Sequence, residues 1–329
     1  MGIKGFETPV LFIIFNKPES TKVVFDQIKK LRPKKLYIAA DGPRKDRAGE
    51  KELCDRVREI VSEIDWDCEH YELFQDHNLG CARGVSGAID WLFRNEERGI
   101  IVEDDVLPDL SFFHFCDELL EKYNTDTRVM GIGGTNFFKP EERDETYSYY
   151  FSNENQIWGW ATWRRAWQYF ELDGKSYRSM MNSKFFRQNF TNQYEYTYKK
   201  QEFERNFNDM TAWSYQWYLA RIAQSGLFIT PTKNLIKNIG IGDHNATHTG
   251  KNNTIADRLE SKLILEEMDF PLKHPDKVMW QRELDSKFFL ENFTTKGSRI
   301  RTQIKKLFPD RLTKIIISPV YRSIKKILK

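Results

Sequence analysis

The feature that most constrains the fold is an alternation of apolar runs with amphipathic segments over the first 135 residues. The apolar runs predict strands at PVLFIIF (9–15), KLYIAAD (35–41), EHYELFQD (69–76), GIIVED (99–104) and VMGIGG (129–134). The segments between them predict helices at 18–31, 50–64, 84–95 and 111–123. Continuous apolar strands between helices are typical of an α/β fold with a mainly parallel sheet flanked by helices.

Polar residues stand where these predicted strands end. In a parallel sheet, ligands bind beyond the carboxyl ends of the strands. The residues at these ends are Asn16 and Lys17, Asp41, Asp76 and His77, and the triplet Glu103, Asp104 and Asp105. The sequence therefore predicts a ligand site at this edge, with Asn16 and Lys17 among the ligand-binding residues.

The triplet ends an apolar run in IIVEDDVLP (100–108). Buried carboxylates are costly without a positive partner, and Mg²⁺ and Mn²⁺ favour oxygen ligands shared with substrate phosphates. A divalent-cation site is one interpretation, and a solvated acidic turn is the other. The apolar strand that precedes the triplet favours the cation.

Charge is distributed unevenly along the chain. Residues 296–329 contain eleven Lys and Arg against one acid, a net charge of +10, so the other 295 residues carry −7 of the total of +3. Apolar residues recur at helical spacing in this basic tail, which predicts binding to an anionic membrane surface; a helix packed on the domain is the alternative. The acidic body argues against a nucleic-acid partner.

Two further features concern location. The four cysteines, Cys54, Cys68, Cys81 and Cys116, form no CxxC pair or zinc pattern, which favours reduced thiols. No secretory signal and no run of about 20 apolar residues is present. We expect a cytoplasmic protein that is peripheral on the inner face of the cell membrane.

Five motifs, in this order, carry a resemblance to a known family: FNKPE, AADGPR, IVEDDVLPDLSFFHFCDELLEKY, IWGWATWRRAW and NIGIGDHNATHT. Together they resemble bacterial GT-A inverting glycosyltransferases over about residues 8–250. The EDD segment is similar to the DxD-type metal-binding segment of the Golgi N-acetylglucosaminyltransferase that begins complex N-glycan synthesis. The resemblance implies a GT-A fold, Mn²⁺ or Mg²⁺ as cofactor, and a nucleotide-sugar donor.

The resemblance also implies roles for individual residues on the donor side. Asp105 would ligate the metal, Asp104 would bond the ribose, and Glu103 would orient the site or the donor sugar. Asp41 would accept from the uracil ring of a UDP-sugar. Lys17 stands where the family often has Arg, at a phosphate contact.

Three residues outside the triplet extend this set. His248 resembles the C-terminal metal ligand of GT-A enzymes. Alternatively, His248 is an ordinary polar loop residue, or His244 binds the metal in its place. Arg83, at the start of the third predicted helix, could add charge near the diphosphate, but an ordinary surface Arg is the favoured interpretation.

The aromatic segment WGWATWRRAW puts Trp160, Trp163 and Trp167 on one predicted helical face. We expect Trp163 and Trp167 to pack in the core. Trp158 and Trp160 are expected to form the junction between donor and acceptor.

An inverting transferase needs a general base for the acceptor hydroxyl. In the Golgi relative an Asp lies within a segment bounded by two Trp, and WSYQW (213–217) here lacks the acid. The candidates are Asp209, Glu154 and Asp243. Asp209 is favoured because it lies at the predicted start of the next helix, where a plain N-cap is the alternative.

The resulting prediction is a metal-dependent hexosyl- or N-acetylhexosaminyltransferase. It would act on a growing surface polysaccharide or lipid-linked glycan. Residues 1–135 would bind the nucleotide sugar, residues 136–255 would form the acceptor side, and residues 256–329 would be a helical C-terminal extension. A sugar-phosphate nucleotidyltransferase should carry a Gly-rich loop after strand one, which FNKPES lacks. A non-catalytic carbohydrate-binding protein would not need the triplet.

Overall fold

The computed structural model of the protein describes residues 5–240, 259 and 263–294. Its strands are β1 Val10–Ile14, β2 Lys35–Ala40, β3 Glu69–Phe74, β4 Arg98–Glu103, β5 Val106–Pro108, β6 Val129–Gly133, β7 Tyr149–Ser152, β8 Trp160–Trp163, β9 Leu227–Pro231 and β10 Ile236–Asn238. Its helices are α1 Pro18–Leu31, α2 Glu50–Val61, α3 Cys81–Asn95, α4 Leu110–Lys122, α5 Arg164–Trp167, α6 Lys175–Arg178, α7 Lys184–Gln188, α8 Gln193–Asp209, α9 Ser214–Ala223 and α10 Arg282–Phe293.

Eight strands form one sheet in the order β3-β2-β1-β4-β8-β6-β9-β7. Strands β3, β2, β1 and β4 run parallel to one another, and β9 runs parallel to β6. Strand β8 is antiparallel to both of its neighbours, and β7 is antiparallel to β9. The predicted α/β fold with a mainly parallel sheet is confirmed, and the sheet includes strands from before and after residue 135.

Helices cover both faces of this sheet because alternate side chains of a strand point to opposite faces. On β1, Val10 and Phe12 belong to one buried cluster, together with Phe25 of α1 and Phe112 of α4. Leu11 belongs to a second cluster that contains the buried side of α3 and α9. Burial on both faces explains why the first strand is apolar at every position.

Local signals set several helix boundaries. Pro18 is the first residue of α1, where a missing N–H costs nothing, and Arg32 ends that helix in a left-handed conformation. At α4 the sequence favours Ser111 as N-cap. The cap is instead Asp109, whose carboxylate accepts from the backbone N–H of Ser111 at 2.8 Å.

Two predictions about the second half are wrong. Trp160–Trp163 is strand β8, not part of a helix, and the tryptophan spacing resembled a helical face by coincidence. Asp209 does not start a helix; it is the exposed last residue of α8, and α9 begins at Ser214.

A small two-stranded sheet ties the acid triplet to a distant part of the chain. Strand β5, directly after the triplet, pairs antiparallel with β10. The backbone N–H of Ile239 donates to the carbonyl oxygen of Asp105 at 2.7 Å. Residues 238–240 therefore lie against the turn that carries Asp105.

No helix among the residues that the structure describes is long and apolar enough to cross a membrane.

Candidate functional site

A cavity of about 280 Å³ opens at the carboxyl ends of β1, β2 and β4, as the fold class predicts. We call it the donor cavity. Of the residues expected to bind the nucleotide sugar, its walls contain Lys17, Asp41, Glu103, Asp104, Asp105 and Trp158. Arg44, Asn78, Asn238 and Gly240 also line it.

Asp104 and Asp105 of the triplet accept hydrogen bonds from different partners. The carboxylate of Asp104, which is 6% exposed, accepts from the backbone N–H of Phe15 at 2.8 Å. Asp105 Oδ2 accepts from Lys17 Nζ at 2.6 Å. Burial raises the pKa of Glu103 to about 8, and the charges of Asp105 and Asp104 add to that effect. The chain thus gathers negative charge at one end of the cavity.

Lys17 supplies positive charge at the same place. It lies between β1 and α1, and its side chain is 12% exposed. Burial opposes its charged form, but the carboxylates of Asp105 and Asp104 outweigh this and raise its pKa. Lys17 therefore lines the cavity as a cation that reaches one acid directly.

The carboxylate of Asp41 stabilises the cavity wall by hydrogen bonds. It accepts from the side-chain amide of Asn78 and from the backbone N–H groups of Gly42, Leu79 and Gly80, at 2.9 to 3.2 Å. A carboxylate has about four acceptor positions, so these bonds fill it. Burial raises its pKa, and the backbone bonds oppose that rise. Asp41 consequently holds the loop after β3 in place.

Arg44 is a cavity residue that the sequence reasoning missed. It pairs with the buried Glu50, and its guanidinium lies 5.5 Å from the ring centre of Phe15. Asn16 is 2% exposed and donates to the same Glu50 at 2.9 Å, outside the cavity lining. The motif AADGPR contained the signal, because it places a basic residue three positions after Asp41.

The described side chains offer a divalent cation only part of a ligand set. Within the described ranges, no three His, Cys, Asp or Glu side chains are grouped closely enough to hold a metal by themselves. Asp105 Oδ1 accepts no hydrogen bond in the same part of the chain, while Oδ2 binds Lys17. One free carboxylate oxygen at a cavity fits a cation that takes its other ligands from phosphate and water. His248 lies outside the described residues.

A second cavity of about 230 Å³ shares one wall residue, Trp158, with the donor cavity. About half of the residues in its walls are aromatic, and the charged residues among them are Glu154, Lys199 and Glu202. Lys199 Nζ donates to Glu154 Oε2 at 2.6 Å. We call this the aromatic cavity.

Buried charges surround the Glu154–Lys199 pair. Glu195 is 2% exposed, and burial, followed by the charge of Glu154, raises its pKa to about 7. Asp285 of α10 is 3% exposed, and the same two causes raise its pKa to about 6. Arg221 is fully buried and donates to Asn155 Oδ1 at 2.8 Å. Sequence periodicity gave no sign of this group, because its members come from four separate elements.

The remaining predicted site residues are placed elsewhere. Arg83 is exposed on α3 and lines neither cavity, and neither does Asp209. Trp160 is fully buried, stacked on Trp213 with ring centres 5.5 Å apart, and lies in the core instead of at a junction. Asp243 lies outside the described residues.

Comparison with known proteins gives distant matches. No protein-family model matches the sequence, and no curated protein does. A UDP-glucose pyrophosphorylase complexed with UDP-glucose is 11% identical with a TM-score of 0.27, and the match covers 46% of this chain and 64% of that one. This chain thus spans less than two thirds of that structure.

Two other solved structures share more of their length with this chain. UTP-bound UGPase from Acinetobacter baumannii is 8% identical with a TM-score of 0.36, and the match covers 71% of this chain and 89% of that chain. Mouse xyloside xylosyltransferase 1, in its apo form, is 11% identical, with coverage of 68% and 84% and a TM-score of 0.32. All these TM-scores are low, so the fold rests on the strand order described above.

Proposed function

We propose that this chain is a glycosyltransferase that moves a hexosyl or N-acetylhexosaminyl group from a UDP-sugar to a growing surface polysaccharide or lipid-linked glycan, with inversion. The observation that carries the proposal is the pair of cavities that meet at Trp158. One contains clustered acids and a buried cation, as a diphosphate donor site requires, and the other contains aromatic rings and two ion-paired acids.

The donor diphosphate would lie near Lys17 and Asp105. Asp105 would hold Mn²⁺ or Mg²⁺, with His248 as a further candidate ligand, and the bound cation would neutralise charge on the diphosphate. Lys17 adds a fixed positive charge for the leaving nucleotide, whose negative charge grows as the sugar departs. Arg44 is a second cation in the same walls. Arg83 is dropped from this set because it lies outside the cavity.

The nucleoside would occupy the part of the cavity bounded by Asp41 and Asp104. Because four donors already fill the carboxylate of Asp41, the uracil ring would contact the loop that Asp41 holds. Asp104 keeps the proposed ribose contact and Glu103 the proposed contact to the donor sugar. Asn16, buried behind the wall, supports this loop region through Glu50.

The general base would come from the three predicted acids. Glu154 lines the aromatic cavity beside Trp158. Asp209 lines neither cavity, and its exposed position at the end of α8 supports no contact with substrate. Asp243 follows Gly240, a donor-cavity residue, so it remains a candidate.

A sugar-phosphate nucleotidyltransferase is the alternative reaction. It would need UTP and a sugar phosphate together in one site. The ion-paired Lys17 in a loop without glycine, and a separate aromatic cavity, favour sugar transfer over that reaction. A binding protein without activity would gain nothing from burying the acid triplet, whose charges are costly.

A turnover panel tests the proposal. The full chain is incubated with UDP-, GDP- and dTDP-sugars, with and without Mn²⁺, and thermal stability and nucleotide release are measured. Stabilisation by a UDP-sugar plus Mn²⁺ and slow release of UDP are expected. Release of pyrophosphate from UTP and a sugar 1-phosphate, with no UDP from any sugar nucleotide, would establish the nucleotidyltransferase instead.

We place the protein in the cytoplasm, on the inner face of the cell membrane, through the basic tail from about residue 296. The support is the tail's net charge of +10 combined with apolar residues at helical spacing. The tail lies outside the described residues. A lipid-linked acceptor would be available at such a surface.

A further inference from the structure

We propose that the aromatic cavity binds the acceptor as one terminal sugar ring, and that Glu154 accepts the proton of its attacking hydroxyl group. This inference rests on the proposed glycosyl transfer and adds the acceptor class and the base. Nothing in the comparisons assigns a ligand to this cavity.

The shape and chemistry of the cavity suit a single sugar ring. Its volume of about 230 Å³ is below the roughly 300–1,000 Å³ of sites for drug-sized ligands. A sugar ring has apolar C–H faces and a rim of hydroxyl groups, so it fits between aromatic walls that end in polar groups. The aromatic residues in the walls include Phe137, Trp158, Tyr198, Tyr215, Phe288 and Phe293.

The polar end of the cavity has an unused hydrogen-bond donor. Asn155 lines the cavity, and its Oδ1 accepts from Arg221, which fixes the orientation of the amide. The buried Nδ2 of Asn155 has no partner among the described residues. Buried donors are nearly always paired, so this group is suited to an oxygen of a ligand.

Glu154 is held in position by helix α10. Its backbone N–H donates to Ser152 Oγ at 2.9 Å, and Ser152 Oγ donates to Asp285 Oδ1 at 2.6 Å. Asp285 Oδ2 accepts from the backbone N–H of Asn153 at 2.7 Å. Helix α10 thereby fixes residues 152–154, and Asp285 is a positioning residue for Glu154.

Glu154 is better placed for the reaction than the other acid in this cavity. Its side chain is 7% exposed and ion-paired with Lys199, so it is held in one position away from bulk water. Glu202 is paired with the largely exposed Arg205. Glu154 also lies four residues before Trp158, the residue that both cavities share.

The proposed step balances as follows. A lone pair of the acceptor oxygen forms the new bond to the anomeric carbon of the donor sugar. The bond from that carbon to the β-phosphate oxygen breaks, and its electron pair leaves with UDP. The hydroxyl proton passes to the carboxylate of Glu154, which later releases it to solvent.

The test compares Glu154→Gln with Glu204→Gln in the full chain. Glu204 is an exposed residue of α8 paired with Lys200, so it is a matched control outside both cavities. Ring binding is measured by saturation-transfer NMR with the methyl glycosides of glucose, galactose and N-acetylglucosamine, in the presence of UDP. Donor binding is measured separately by the thermal shift with UDP-sugar, and transfer to the bound glycoside by product formation.

The expected result is that Glu154→Gln binds donor and methyl glycoside as the unchanged chain does, but transfers sugar about 10²-fold or more slowly. Glu204→Gln should match the unchanged chain. Because Glu154→Gln leaves Lys199 unpaired, the double variant Glu154→Gln with Lys199→Met is made as well; it should fold and show the same loss. Transfer at the original rate in either variant would overturn the assignment of the base.

A second variant tests whether the acceptor binds in the aromatic cavity. Ser214 lines the aromatic cavity at the start of α9, and Ser214→Phe would fill part of it. Glycoside signals should vanish while donor binding remains. Glycoside binding that survives this change would overturn the acceptor site, whereas failure of the unchanged chain to bind any nucleotide sugar would contradict the proposed function itself.

Discussion

Lys17 Nζ and Asp105 Oδ2 lie 2.6 Å apart, and this contact joins the loop after β1 to the turn after β4. The two residues come from adjacent parallel strands, so the sheet itself brings the cation and the acid together. Their contact leaves the other oxygen of Asp105 for a ligand. The same pair can therefore serve a diphosphate and its cation with little rearrangement.

Removing the acid should remove the metal dependence. Asp105→Ala deletes the carboxylate that we propose holds the cation, so Mn²⁺-dependent binding of UDP and turnover should be lost while the fold is kept. Calorimetric titration of UDP with and without Mn²⁺ measures this. Asp26→Ala, at an exposed ion pair of α1, is the control. Turnover at the unchanged rate in Asp105→Ala would exclude this residue as a metal ligand.

Two substitutions of Lys17 should separate the effect of its charge from that of its shape. Lys17→Met removes a hydrogen bond to a charged group, worth about 1.5–3 kcal/mol, so UDP should bind about 10- to 100-fold more weakly. Lys17→Arg keeps the charge and should retain most of the affinity. Equal losses in the two variants would show that the shape of the lysine, not its charge, is what matters.

Gly240 should not tolerate a side chain. A methyl group at this position would overlap with Asp105 Oδ2, well inside contact distance. Gly240→Ala should therefore displace the Asp105 carboxylate and weaken Mn²⁺-dependent donor binding. Gly87→Ala is the matched control, since nothing lies within 4 Å of the added carbon. Donor affinity that is identical in the two variants would contradict the proposed role of Asp105.

Stability should fall as the pH rises toward neutrality. The pKa of Glu195 is raised to about 7 in the folded state, from the ordinary value of 4.5 for a glutamate. Between these two pKa values Glu195 binds more protons in the folded state than in the unfolded state. The free energy of unfolding therefore falls as the pH rises through that window. Asp285, with its pKa raised to about 6, acts in the same direction.

Glu195→Gln tests this pH dependence. The amide oxygen can still accept from the backbone N–H and hydroxyl of Thr191, but the variant carries no charge to bury. Denaturant unfolding should show the variant gaining stability relative to the unchanged chain at pH 8 and little at pH 4.5. Glu204→Gln, on the exposed side of the same helix, should show no such trend. A variant that loses stability at pH 8 would mean that Lys199 needs this charge.

The basic tail should bind membrane by its charge. Each Lys or Arg near an anionic surface contributes about 1 kcal/mol, so several together suffice for reversible attachment. Co-sedimentation with liposomes compares the full chain with one ending at Gly297. Binding should need anionic lipid, weaken with salt and vanish on truncation. Binding that ignores lipid charge, or loss of folding on truncation, would assign the tail to the domain instead.

The first half of the fold was predictable because its signals are local. Residues 9–15 are apolar throughout since β1 is buried on both faces, and the polar residues after each strand marked the donor cavity. Arg44 was missed because its pairing partner, Glu50, lies across a turn whose geometry the sequence does not show.

The second half was harder because its contacts are distant along the chain. WATW became a strand because it fits between β4 and β6, a choice that the tryptophan spacing cannot reveal. The aromatic cavity needs α10, and no periodic pattern links residues 282–293 to Glu154. The WSYQW segment drew attention to its missing acid, while Glu154, in a different segment, lines the cavity.

The contact between Ser152 and Asp285 spans 133 residues of chain. Closing so long a loop costs more chain entropy than pairing the neighbouring strands β1 and β2, so that pairing should precede the docking of α10. During refolding, far-ultraviolet circular dichroism should therefore recover before sugar transfer does. A newly made chain would spend that interval with its aromatic cavity open on the side that α10 closes.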